Sequence, residues 1–157
     1  MSTKSITQIS VIAALLTLFS LFKLPALFPG LKFQLSAPVS LLILAFFGIK
    51  RYFIGGVISS VLLLIIGAAN PLHLFISFVF RLIAILIVYI SGISLRSLCL
   101  ASCAGTLISR IILAEFLHLP PILLVAHALP GVLFTLLVVS TLYPALSRRP
   151  IIQTLCK

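Results

Sequence analysis

The sequence predicts an all-α integral membrane protein, a single domain over residues 1–157 made of six transmembrane helices with both termini cytoplasmic. Three observations carry this. The chain is 62% hydrophobic and 8% charged, whereas soluble domains run near 45–50% apolar and about 25% charged. A water-soluble core cannot absorb that much apolar surface, so lipid must be the solvent. The apolar residues fall into six segments separated by prolines, glycines and basic residues. The segments are too long and too continuously apolar for an outer-membrane barrel, whose strands alternate over roughly ten residues. Finally, the charges are one-sided: eleven Lys plus Arg stand against one acid, Glu115, for a formal net charge of +10.

The first segment covers residues 6–22, after Lys4. It is long for the apolar part of a signal peptide and no A-x-A-like site follows, so a retained first helix is expected. "KLPALFPGLKFQL" follows, and Pro25, Pro29 and Gly30 exclude a regular helix there. The second segment, residues 37–49, is short for a span and is ended by Lys50–Arg51. The third, residues 53–69, stops at Asn70–Pro71. The fourth covers 72–93 and is followed by Arg96. The fifth covers 98–117 and breaks at "HLPP", and the sixth covers 122–146 before a short basic tail.

Orientation follows from the loop charges. Lys4, Lys50, Arg51, Arg96, Arg148, Arg149 and Lys157 share one side, against Lys23 and Lys32 on the other. Positive charge collects on the cytoplasmic side, which places both termini there. The basic residues sit between apolar segments and form no basic domain, so nucleic acid is not an expected partner. There is no Walker A pattern, so any ATP must be bound by another subunit. Cys99, Cys103 and Cys156 lack metal-ligand spacing and read as small packing residues. No metal and no cofactor is expected. No G-x-S-x-G, HExxH or carboxylate pair is present. Ser109 with His127 is the one conceivable nucleophile–base pair, and Arg110 directly follows the serine. The expectation is a binding protein, not an enzyme.

Two arginines remain after the loop charges are assigned, Arg81 in the fourth segment and Arg110 in the fifth. A charge at mid-membrane costs about 2.5–3.5 kcal/mol on insertion scales, so such residues face protein or a water-filled cavity. His73, Ser77 and Arg81 share a helix face at i, i+4 and i+8. Ser102, Thr106 and Arg110 repeat the spacing, as do His127, Gly131 and Thr135. Three successive helices thus carry one polar stripe each, and a shared cavity opening outward is the economical reading. Glu115 is five residues after Arg110 and points elsewhere on the helix, which leaves one guanidinium without an acidic partner. An arginine fork suits a carboxylate or phosphate. The cavity is therefore expected to bind a small molecule with an anionic group. Small residues four apart also recur at Gly55–Ser59, Gly56–Ser60, and Ala101–Gly105–Ser109. These read as ordinary helix packing.

"GLKFQLSAPVSLLILAFFGIKRYFIGGVISSVLLLIIGA", six short helices and a long first outer connection together resemble the substrate-binding S-components of energy-coupling factor (ECF) vitamin transporters. The resemblance covers nearly the whole chain and rests on pattern. "GVISSVLLLIIGAANP" and "LPGVLFTLLVVSTLYPAL" are most similar to the tryptophan-transport branch. That branch carries a polar stretch after the third helix, where this chain has "ANPLHLFISFVFRL". Asn70, within that stretch, joins the candidate binding residues.

The resemblance implies an ECF S-component-like bundle in the cytoplasmic (inner) membrane that captures a vitamin-like or amino-acid-like micronutrient from outside. Its pocket would be formed mainly by the last three helices and capped by the first outer loop. It also implies docking to a membrane coupling subunit that carries two ABC-type ATPases. The family docks through Ala-x-x-x-Ala on the first helix. Here Ser10-x-x-x-Ala14 and Ala13-x-x-x-Thr17 occupy that region, which leaves open a dedicated, shared or absent ATPase module. With so few acids, a carboxylate-bearing or neutral substrate is expected rather than a strongly cationic one. The competing expectation is a ligand-free membrane scaffold like the rod-shape-determining protein MreD. A third is a subunit whose partner supplies the missing acids to Arg81 and Arg110.

Overall fold

The computed structural model describes residues 3–25, 32–34, 36–118 and 120–148. Pro29, Gly30, Arg149, Cys156 and Lys157 lie outside them. Six helices and one small hairpin follow in order: α1 (Thr3–Leu21), β1 (Lys23–Pro25), β2 (Lys32–Gln34), α2 (Ser36–Phe47), α3 (Ile49–Ile65), α4 (Pro71–Ser91), α5 (Leu95–Leu117) and α6 (Pro121–Ser147). Helices dominate because only they satisfy every backbone group within one segment in lipid.

Each end has a local cause. Gly48, at φ 80°, is the single residue between α2 and α3, and that left-handed conformation favours glycine. The break therefore falls at Gly48 and not at Lys50–Arg51, which lie inside the first turn of α3. At the other end of α3, Gly67 at φ 71° turns the chain, and its N–H donates to the Leu64 carbonyl at 2.9 Å. The helix thus stops four residues before the expected Ala69. Pro71 starts α4 as its first residue, where the missing N–H is harmless. Ser94 and Ser97 form a reciprocal capping box that starts α5. His118, left-handed at φ 53°, ends it.

Four helices, α1, α4, α5 and α6, are long and apolar enough to cross a membrane. The expectation of six full spans is thereby modified. The 12 residues of α2 reach only about 18 Å, against a hydrocarbon core of about 30 Å. At 17 residues, α3 is marginal. The shortness of α2 goes with its position: seven of its twelve residues are buried, and it is packed against α1, α3, α5 and α6. The outer surface is apolar, with Tyr89 and Ile90 on α4 and Leu133 and Leu137 on α6 all exposed. A surface of this kind is stable in lipid and not in water. The chain is accordingly a multi-pass membrane protein of helical-bundle type.

The expected non-helical connection after α1 is partly an antiparallel pair, with Lys23 opposite Gln34, Leu24 opposite Phe33 and Pro25 opposite Lys32. No strand was expected there. The strands are three residues each and carry no readable alternation. β2 contacts α6.

The helices pack in two groups. In the first, α1 runs along α3. In the second, α4 packs on α5 and α5 on α6. Glycines allow both close approaches. A Cβ on Gly55 would lie 2.6 Å from Cγ2 of Ile12, and one on Gly105 would lie 2.9 Å from Cδ2 of Phe80. Beside Gly55, the Thr17 hydroxyl lies 3.1 Å from that of Ser59. Gly55→Ile is expected to cost about 1–3 kcal/mol by overpacking, read as a lower unfolding midpoint in detergent. Unchanged stability would refute the close α1–α3 approach.

Candidate substrate-binding site

A cavity of about 320 Å³ lies between the two helix groups and is lined by residues of all six helices. Its size is at the lower end of the range for small-molecule sites, roughly 300–1,000 Å³. Arg81 and Arg110 both line it, and no carboxylate is among the described lining residues. Glu115, the one acid of the chain, is exposed and outside the cavity.

Arg81 stands at the middle of α4, ten residues from each end of a 21-residue helix. It is only 7% exposed. Its guanidinium crosses to α3, where Nη1 donates to the carbonyl of Gly56 and to Oγ of Ser60 at 2.8 Å. Ser60 donates in turn to the Gly56 carbonyl at 2.9 Å. The group lies flat on the α3 backbone because residue 56 has no side chain. A Cβ there would sit 2.9 Å from Nη1 and 3.0 Å from Cζ. The Tyr52 hydroxyl stands beside this guanidinium and Ser40, without a hydrogen bond of good geometry. A buried cation is thus held by neutral dipoles, which is how intramembrane charge is tolerated in the absence of an acid.

Arg110 is different. It is partly buried, and its Nε is buried with no hydrogen-bond partner among the described residues. Thr106, one turn earlier on α5, and His127 on α6 line the same cavity. Ser109 also lines it, but its hydroxyl donates to the Thr106 carbonyl at 3.0 Å, so its proton is engaged with backbone.

Six of the eight candidate binding residues meet at this cavity: Ser77, Arg81, Thr106, Arg110, His127 and Thr135. His73 and Asn70 do not line it. Asn70 is exposed at the N-terminus of α4 without a side-chain cap bond. Ser102, from the same stripe as Arg110, is fully buried and does not line the cavity. On α1, Ala13 and Thr17 are buried inside the bundle, whereas Ser10 and Ala14 are exposed.

The first three helices contribute more than the polar stripes indicated. Ser20, Ser36, Ser40 and Ser60 line the cavity from α1, α2 and α3. Isolated serines are too common in membrane helices to stand out. The available signals were the Ser36–Ser40 spacing of four and the Gly56–Ser60 pair. The latter reads as helix packing, whereas it receives Arg81.

Among curated proteins, Protein BioX of Lysinibacillus sphaericus is 41% identical over 134 residues, covering 85% of this chain and 81% of the relative. The chain belongs to the BioX family. This relationship gives no support to the tryptophan-transport branch. No family model matches the chain, and no solved structure matches it.

Proposed function

We propose that the protein is the substrate-binding S-component of an ECF-type vitamin uptake transporter, and that it captures a small carboxylate-bearing vitamin from outside the cytoplasmic membrane. The observation that carries this is the cavity lined by two arginines and no acid. A site so charged favours an anion, because a cation would add to the repulsion and a neutral molecule would leave Arg110 without a counter-ion. The BioX relationship supports the vitamin-transport class and makes biotin the first compound to test. In this reading the role is binding, which the hydrogen bond from Ser109 Oγ to the Thr106 carbonyl supports.

A membrane coupling subunit bearing two ATPases completes the transporter in this reading, and the exposed Ser10 and Ala14 edge of α1 is the close-packing surface offered to it. The scaffold alternative is not favoured, because it leaves the arginine-lined cavity without a use. The test is direct. Protein purified in detergent is titrated with biotin and a panel of other carboxylate-bearing vitamins, and copurifying small molecules are identified by mass spectrometry. One stoichiometric carboxylate ligand is expected. Absence of any copurifying ligand, together with no binding from the panel, would end the proposal.

A further inference from the structure

The two arginines that line the cavity have unlike surroundings. Arg81 is committed to α3 through the Gly56 carbonyl and Ser60 Oγ. Arg110 makes no hydrogen bond among the described residues, and its Nε is buried with no partner. A buried guanidinium donor without an acceptor is costly, and a ligand oxygen placed there removes the cost. The part of the lining contributed by α1 and α2 has the reverse polarity. The hydroxyl of Ser20 donates to the Leu16 carbonyl at 2.7 Å, and that of Ser40 donates to the Ala37 carbonyl at 2.8 Å. A serine hydroxyl has one proton and two lone pairs. With the protons engaged, this wall offers acceptors.

We infer that the ligand is held end to end: its carboxylate on Arg110 beside Thr106, and a neutral N–H-bearing group against the Ser20–Ser40 wall of α1 and α2. The inference rests on the vitamin-binding reading above and narrows it to monocarboxylates with neutral N–H donors at the far end. Arg81 positions the cavity wall and does not hold the anion. Nη1 of Arg81 is already engaged by two α3 acceptors, so Arg110 keeps more of its five N–H donors open to a carboxylate, and a ligand there displaces no acceptor among the described residues.

The experiment is a titration of the purified full-length protein with three compounds. Biotin has both features, biotin carboxamide lacks the charge, and lipoate keeps the carboxylate on a ring without N–H groups. The unmodified protein is expected to prefer biotin over its carboxamide by about 10- to 100-fold, the size of a charged hydrogen bond. It is also expected to bind lipoate more weakly than biotin. Arg110→Gln should remove most of the acid-over-amide preference by weakening the acid far more than the carboxamide, and Arg110→Lys should keep part of it. Arg81→Gln should weaken acid and amide alike.

A preference that survives Arg110→Gln, or that Arg81→Gln erases instead, overturns the assignment. Equal affinity for lipoate and biotin overturns the N–H wall. If Arg110→Gln is not monodisperse by size exclusion, the Arg110→Lys series gives the reading. If another panel vitamin replaces biotin, the same variants are read on that acid and its carboxamide. Failure of the unmodified protein to bind any carboxylate refutes the transport reading itself, and with it this inference, and is distinguishable because no variant is involved.

Discussion

Gly56→Leu is expected to destabilise the protein by about 3 kcal/mol, and the cause is a charge and not a clash. The new side chain drives the Arg81 guanidinium off the Gly56 carbonyl and Ser60. The nearest atoms a Cβ would meet all belong to that flexible group, at 2.9–3.1 Å, so sterics alone would be relieved cheaply. What remains is a buried cation, 7% exposed in the native fold, with its acceptors taken away. Removing the acceptor of a buried charge costs far more than the bond itself contributes.

The penalty largely disappears when the charge goes too. Arg81→Met leaves no orphan behind, because Ser60 still donates to the Gly56 carbonyl at 2.9 Å. Its stability is expected to stay within about 1 kcal/mol of the unmodified protein. The double variant should recover most of what Gly56→Leu loses. Thermal unfolding of the three variants in detergent measures this directly. If the double variant is as unstable as Gly56→Leu alone, packing of the leucine and not the unseated charge is responsible.

Gly131→Phe should abolish ligand binding while sparing the fold. Gly131 lines the cavity, and a Cβ built there meets nothing within 4 Å. The ring would therefore grow into the space a ligand needs, in a cavity of only about 320 Å³. A loss of at least about 100-fold in affinity is expected, since a site this small cannot hold both. Replacing a mid-helix glycine also removes a helix penalty of about 1 kcal/mol, so the unfolding midpoint should hold or rise. Retained affinity in a folded Gly131→Phe protein would show that ligand binds elsewhere.

Much of the architecture was legible in the chain because lipid imposes simple rules. Apolar segments must become helices, and Pro71 and Pro121 mark helix starts on local chemistry alone. The polar stripes were legible for a related reason: a charge in a helix as apolar as α4 needs a protein-facing position. Position along one helix gave Arg81 its depth, and periodicity grouped it with Ser77.

What periodicity could not give was the partner across a helix gap. Gly56–Ser60 and Gly55–Ser59 are adjacent small-residue pairs on the same helix with the same spacing. One receives a guanidinium, while the other packs against Ile12 and Thr17. A rotation of about 100° about the helix axis separates the two outcomes, and only packing against α1 sets that rotation. The shortness of the second segment was legible, but the burial of α2 and the place of its serines in the cavity were not, because hydropathy reports that a segment is apolar and not whether lipid or protein surrounds it.

The amino-acid sequence by itself determined that this is a helical membrane protein with two intramembrane arginines and no acid to neutralise both. Those are properties of composition and of one-dimensional spacing. Tertiary structure alone decided that Arg81 donates to two acceptors on α3 and that Nε of Arg110 finds no partner among the described residues. That difference depends on which neighbouring backbone comes within hydrogen-bonding reach, a contact between residues 25 apart in one case and its absence in the other.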